Sequence, residues 1–310
     1  MKSLAPIAYF AFNRSSHSLV SLEAIKKCHF SSASDLYIFC DGPRKNETTE
    51  GLDKIATLRA AVRSQQWCKN VYIIEQQENK GLFRSLTEGI TQVVNERGKV
   101  IVVEDDVLIA TGFLEYMNGM LDLYEHDEKV MHLSGFCAFE PALFEKEQLY
   151  FIYNHSFCWG WGTWKRAWSH FNKNGYELMK EVKEKGITSY VNMDDTKDIY
   201  WGLKFTMDGV FQEWNYLWHT CIALNNGLCI NPTRTLTNNF GFDGSGTHWT
   251  PGSEFNTPSP MVDSWPVKRI PLEEDKRIRG LIHQQPFSRR FIFLVKHYLR
   301  NFQPRKKRRY

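Results

Sequence analysis

Runs of apolar residues alternate with amphipathic stretches through the first third of the chain. Ile7-Ala8-Tyr9-Phe10-Ala11-Phe12, Leu36-Tyr37-Ile38-Phe39-Cys40, Val71-Tyr72-Ile73-Ile74 and Val100-Ile101-Val102-Val103 are continuous apolar runs without polar alternation. Such runs suit strands buried on both faces of a parallel sheet. Between them, Leu19, Leu22 and Ile25 fall at helical spacing in Ser18–Lys27, with Ser15 or Ser16 placed to cap. Thr49–Arg63 and Leu82–Asn95 have the same periodicity, the latter after an Asn79-Lys80-Gly81 turn. Regular strand–helix alternation predicts a doubly wound α/β layer. The second half is less regular. Val130-Met131-His132-Leu133-Ser134 reads as a strand, and Trp201–Asn225 as a helix broken near Gly209. Asn231–Pro260 is rich in Gly, Asn, Thr and Pro, without a long periodic element, which marks a functional or disordered loop.

The fourth apolar run ends in Glu104-Asp105-Asp106. Open parallel sheets bind ligands beyond the carboxyl ends of their strands. Three adjacent carboxylates raise one another's pKa unless a cation shares them. Mg²⁺ or Mn²⁺ prefers oxygen ligands and completes its shell with substrate phosphates and water. The alternative is a solvated acidic turn. If the strand persisted, Glu104 and Asp106 would share one side and Asp105 the other.

Composition adds three bounds. The 310 residues suffice for one large or two small domains. The 7 Cys are odd in number, with no C-x-x-C pair, so we expect a reducing cytosol rather than a disulfide framework or a zinc site. The N-terminus has no long apolar h-region and the chain no apolar segment of about 18 residues, so we expect neither signal peptide nor membrane span. Net charge is +4, unevenly placed. Residues 276–310 carry twelve Lys and Arg and no acid; the remainder has 39 − 12 = 27 basic and 35 acidic residues, a net of −8. Phe287, Phe291, Leu294, Val295, Tyr298 and Phe302 recur at helical spacing among basic residues, ahead of Arg305–Arg309. Such a basic amphipathic tail suits an anionic membrane surface; a solvated tail helix is the alternative. No nucleic-acid-binding module is recognisable, so no nucleic acid partner is expected.

Asn13-Arg14-Ser15 after the first strand, Asp41 ending the second, Asn79-Lys80-Gly81, and Glu104-Asp105-Asp106 together resemble a glycosyltransferase of the GT-A fold. Glu213-Trp214, and Thr233–Thr237 through Gly244–His248, extend the match to roughly residues 5–250. The nearest resemblance is to the alpha-1,3-mannosyl-glycoprotein N-acetylglucosaminyltransferase family, as a bacterial-type relative. It implies an α/β Rossmann-like sheet, mostly parallel and flanked by helices, with a nucleotide-sugar-binding half (1–125), an acceptor-binding half (126–270) and the basic tail (271–310). It also implies Mn²⁺ or Mg²⁺, a nucleotide-sugar donor of the UDP type, and a glycan or lipid-linked acceptor in polysaccharide synthesis. The cytoplasm, or the inner face of the membrane, is the place it suggests.

By resemblance, Asp106 ligates the metal, Asp105 meets the ribose, Glu104 faces the donor sugar and Asp41 binds the uracil. Arg14 and Arg84, both near helix starts, are candidates for the diphosphate, with Lys80 behind them. Glu213 is the candidate base, where the family has Asp; Asp208 stands second, and Asp194 or Asp195 third. His248 would reach the donor as its loop closes. In Trp159-Gly160-Trp161-Gly162-Thr163-Trp164 the glycines leave indoles open to a flat sugar face, and Trp161 is the acceptor-side candidate, with core packing as the alternative for at least one ring. Two rivals remain. A sugar nucleotidyltransferase would carry a Gly-rich loop after the first strand, where this chain has Phe12-Asn13-Arg14-Ser15-Ser16-His17. A non-catalytic glycan-binding protein would bind no donor with metal.

Overall fold

The computed structural model describes residues 3–195, 197–210, 213–243 and 260–283. The first half winds as the apolar pattern predicts: β1 (Ile7–Ala11), α1 (Ser15–Lys27), β2 (Asp35–Cys40), α2 (Thr49–Val62), β3 (Asn70–Glu75), α3 (Gly81–Arg97) and β4 (Lys99–Glu104). The four strands pair in parallel in the order β3-β2-β1-β4. Val100–Val103 are at most 1% exposed, because helices cover both faces of the sheet. Thr48 caps α2 by accepting from the Gly51 amide at 3.0 Å. The α1 start differs from expectation. Arg14 is its N-cap and makes no side-chain cap, so Ser15 and Ser16 lie inside the first turn.

After β4 come β5 (Val107–Ile109), α4 (Phe113–Leu123), β6 (Val130–Ser134), β7 (Tyr150–Ile152) and β8 (Trp161–Trp164). Next are α5 (Lys165–Trp168), α6 (Gly175–Glu184), α7 (Thr188–Val191), α8 (Ile199–Met207), α9 (Trp214–Leu224), β9 (Leu228–Pro232), β10 (Thr237–Asn239) and α10 (Lys276–His283). The expected helical break falls between α8 and α9, where Gly209 takes φ +69°. Among the described residues one eight-stranded sheet runs β3-β2-β1-β4-β8-β6-β9-β7. It is mainly parallel and flanked by helices, the α/β class expected. β8 lies antiparallel between β4 and β6, and β10 pairs antiparallel with β5. The Gly- and Asn-rich stretch therefore begins with strand structure before the described residues end at 243.

Candidate active site

Two strand ends build the centre of the site. The register pairs Phe10 of β1 with Glu104 of β4, so the loop leaving β1 rises level with the acidic turn. Arg14 crosses to it. Its Nε donates to Asp105 Oδ2 at 3.2 Å, and its Nη2 is shared between Asp105 Oδ1 and Asp106 Oδ2, the latter at 2.9 Å. Below, Ser21 Oγ donates to the Val107 carbonyl at 2.8 Å, fixing the turn to α1. Above, Asn239 Nδ2 reaches Asp106 Oδ1 at 3.2 Å and the Phe240 amide reaches the Asp106 carbonyl at 2.9 Å. At Gly241 a Cβ would stand 2.6 Å from Asp106 Oδ2, so only glycine lets the chain pass so close. β4 ends at Glu104; the strand alternation expected for the triplet does not reach Asp105 and Asp106, which share Arg14.

One guanidinium does not neutralise this turn. Burial, then Asp106 and Asp105, push the Glu104 carboxyl well above its usual range, against the pull of Arg14. Burial lifts Asp105 to about 6, with Arg14 opposing and Asp106 adding to the rise. Burial opposes charge on Arg14, but the two aspartates outweigh it and raise its pKa. Arg14 Nη1 remains buried with no hydrogen-bond partner.

Glu213 sits at the N-cap of α9, half-buried, and its charge is felt by Glu104, Cys158 and Lys197. The structure thus brings the candidate base within electrostatic reach of the acidic turn. Lys197, which the sequence did not single out, is exposed and lies within electrostatic range of Glu213. Its charge is disfavoured by desolvation and favoured by Glu213. Asp208 pairs with Lys204 and Tyr176 on the outer surface. Asp195 accepts from Ser189 Oγ at 2.8 Å in a turn where Met193, Asp194 and Asp195 all have positive φ.

Four further candidates sit apart from the Arg14 cluster or outside the described residues. Asp41 is 5% exposed, and its carboxylate takes four hydrogen bonds. Oδ1 accepts from the Gly42 and Lys80 amides, both at 2.8 Å; Oδ2 accepts from Asn79 Nδ2 and the Gly81 amide, both at 3.0 Å. A carboxylate has about four lone-pair sites, so Asp41 is occupied in tying β2 to the start of α3. Arg84 is exposed and pairs with Glu88 at 3.2 Å, and Lys80 Nζ reaches the same carboxylate at 2.7 Å. No contact described joins either to the acidic turn. Trp161 is corrected outright: it is 0% exposed, stacked with His132 at 5.0 Å and Trp214 at 5.6 Å. A ring so enclosed offers no face to an acceptor. Trp159 is the half-buried member, edge-on to Phe136 at 4.5 Å. His248 lies outside the described residues, as does the tail from 284.

Among the described residues no three His, Cys, Asp or Glu converge as a full metal shell. The donor set nevertheless fits a hard cation. Asp106 offers carboxylate oxygen, the turn carries surplus negative charge, and one protein ligand suffices where a substrate diphosphate and water supply the others. Among the described residues no helix is long and apolar enough to cross a membrane.

No protein-family model matches the chain, and no curated protein matches it. Solved structures align weakly. TarS of S. aureus aligns at 15% identity over 42% of this chain and 21% of its own, with TM-score 0.30. The galactosyltransferase LgtC, in complex with donor and acceptor sugar analogs, aligns at 11% over 58% and 65%, with TM-score 0.33. UTP-bound UGPase from Acinetobacter baumannii aligns at 10% over 76% and 88%, with TM-score 0.38. The chain thus spans about a fifth of TarS and 65% of LgtC.

Proposed function

We propose that this chain is a group-transfer enzyme acting on a nucleoside diphosphate substrate. More narrowly, it is a metal-dependent, inverting glycosyltransferase of the GT-A type. It takes a UDP-sugar and a glycan or lipid-linked acceptor in polysaccharide synthesis. The observation that carries this reading is Arg14, fixed against Asp105 and Asp106 while its Nη1 stays buried and unpartnered. A buried donor of this kind costs ~1–3 kcal/mol without a partner, and a diphosphate oxygen is the acceptor its charge and planar fork suit best.

On this reading Asp106 holds Mn²⁺ or Mg²⁺, and Asp105 and Glu104 face the donor's ribose and sugar. The bound cation supplies Lewis-acid neutralisation of the departing diphosphate. Arg14 fixes the diphosphate from the β1 side. Glu213 takes the acceptor hydroxyl's proton as the glycosidic bond forms on the opposite face. Arg84, Asp41 and His248 would join only if the donor reaches past the acidic turn, Asp41 by exchanging part of its present bonding. The basic tail would hold the enzyme on the anionic inner face of a membrane, beside a lipid-linked acceptor.

Calorimetric titration of UDP-sugars with and without Mn²⁺ tests the reading, and no binding in either condition sinks it. Asp106→Ala should abolish metal-dependent donor binding. Glu213→Ala should keep donor binding and lose turnover; full activity in that variant would remove Glu213 as the base. A screen of nucleotide sugars for donor hydrolysis then distinguishes hexosyl from N-acetylhexosaminyl transfer.

A further inference from the structure

Apart from the acidic turn, unpartnered polar atoms gather on one short run of chain. Asn154, His155 and Ser156 are 6%, 6% and 1% exposed. Asn154 Oδ1, His155 Nδ1 and Ser156 Oγ nevertheless have no hydrogen-bond partner. Folded chains leave few buried polar atoms unpaired, because each forfeits its hydration without return. Core packing gives no reason to place three on consecutive residues.

The run is pinned at both ends. Before it, the Tyr153 amide makes a last sheet bond to the Cys229 carbonyl at 3.4 Å. After it, the Phe157 carbonyl accepts from His132 Nε2 at 3.0 Å and from Ser134 Oγ at 3.4 Å. His132 is itself oriented, since Trp218 Nε1 donates to its Nδ1 at 3.3 Å. Asn154 Nδ2 is anchored on the Tyr190 carbonyl at 2.7 Å, which directs its unpartnered oxygen away from α7. The His155 ring stands edge-on to Phe157 at 4.6 Å and beside His219 at 5.5 Å. Asn154 and His155 are thus held without one another's help, and the backbone that carries Ser156 is pinned on both sides.

The chain leads on toward the candidate site: the Trp159 carbonyl, three residues past Ser156, accepts from Thr237 Oγ1 at 2.6 Å, on the strand whose Asn239 reaches Asp106 at 3.2 Å. Cys158, two residues on, feels the charges of Glu104 and Glu213; Lys197 feels Glu213 and Cys158; His155 feels Lys197. Chemically the run is uniform. An amide oxygen accepts, a hydroxyl donates and accepts, and a neutral imidazole does one of each. Burial keeps His155 neutral by pushing its pKa well below the usual imidazole value. Neutral groups of mixed donor and acceptor character pair with hydroxyls; a phosphate or carboxylate would call for cations.

We propose that Asn154, His155 and Ser156 form a recognition pocket for the hydroxyl groups of a pyranose ring. The pocket deepens the glycosyltransferase reading and rests on it for the ring's source, the acceptor or the donor sugar. Ser156→Ala tests it, because within the fold the lost hydroxyl meets the Cys158 thiol, a weak partner, and the melting temperature should hold within about 1–2 °C. His155→Phe keeps the ring contact with Phe157 and removes both nitrogens. Saturation-transfer NMR with p-nitrophenyl hexosides and N-acetylhexosaminides reads free saccharide, while calorimetry with Mn²⁺ compares UDP with UDP-hexose. Each variant should weaken one saccharide interaction about tenfold, the worth of one well-made hydrogen bond, and leave UDP affinity alone. Loss on the free glycosides assigns the ring to the acceptor; loss only in the UDP-hexose increment assigns it to the donor. Unchanged saccharide binding in both variants overturns the pocket, as does a wild-type protein that binds no saccharide in either format, in which case ordered water satisfies the three atoms. Glycoside binding without UDP binding would sink the donor assignment and leave the pocket standing.

Discussion

Asp41→Ala separates two tasks that one carboxylate could hold. The side chain is 5% exposed and accepts four hydrogen bonds, from the Gly42, Lys80 and Gly81 amides and from Asn79 Nδ2. Truncation leaves all four donors facing a small cavity with little access for water. At ~1 kcal/mol each the loss is ~4 kcal/mol, against a total stability of about 5–15 kcal/mol. Unfolding entropy near 2.1 cal/mol/K per residue gives roughly 0.65 kcal/mol/K for a chain of 310 residues. The melting temperature should therefore drop about 6 °C. Asp41→Asn should lose about half as much or more, because its amide nitrogen turns donors toward two of the four donors. Thermal melts and urea titrations measure both variants, with UDP calorimetry alongside. A variant that melts within about 1 °C of wild type while losing UDP affinity tenfold would refute the structural assignment and return Asp41 to the donor site.

Arg14→Met should destabilise the protein by about 3 kcal/mol at pH 7, because it strands buried carboxylates. Asp105 already titrates at about 6 rather than 3.8. Without the arginine its folded pKa climbs further, so protonation relieves the deficit as pH falls. Urea curves should show a smaller deficit at pH 5 than at pH 7, and a pH-independent deficit contradicts the ion-pair account. His132 and His219 are held neutral by burial, at about 3 and about 4 against 6.5. Their contribution is present above pH 6.5 and is lost as pH falls below it, by about 2 kcal/mol each at pH 5. His219→Gln should flatten the acid limb of stability, and a native-state NMR titration of either ring near pH 6.5 would disprove its burial as neutral imidazole. Gly89→Ala should cost ~1–3 kcal/mol by overpacking, since its Cβ would lie 2.6 Å from the Phe10 ring, which stacks on Phe39 at 5.0 Å. An unchanged urea midpoint would show that this stack yields.

The parallel half of the sheet was legible because strands covered on both faces show as unbroken apolar runs, and the acidic turn because it interrupts one of them so sharply. β8 was not. Its Trp161, Gly162, Thr163 and Trp164 are all buried, but small residues between indoles have the same pattern as an open aromatic platform. What closes it is the insertion between β4 and β6, a contact at long sequence separation. Asp41 escaped for the same reason: its partners Asn79, Lys80 and Gly81 lie in the next strand–helix loop. The Arg14 bridge depends on the register of Phe10 with Glu104, which no local pattern encodes. Asn154–Ser156 carry no periodic or motif signal of their own.

The place of β8 also sets an order on synthesis. β4 emerges from the ribosome early and pairs with β1 on one side, while its other edge waits for Trp161–Trp164 to be made. An apolar strand with an open edge is a template for association with other chains. A chain made only as far as β4 and folded to that point would expose this edge. A fragment ending near 125 would expose it permanently. Cutting the chain between its expected halves would thus leave one edge of the strand that bears the acidic turn without its partner.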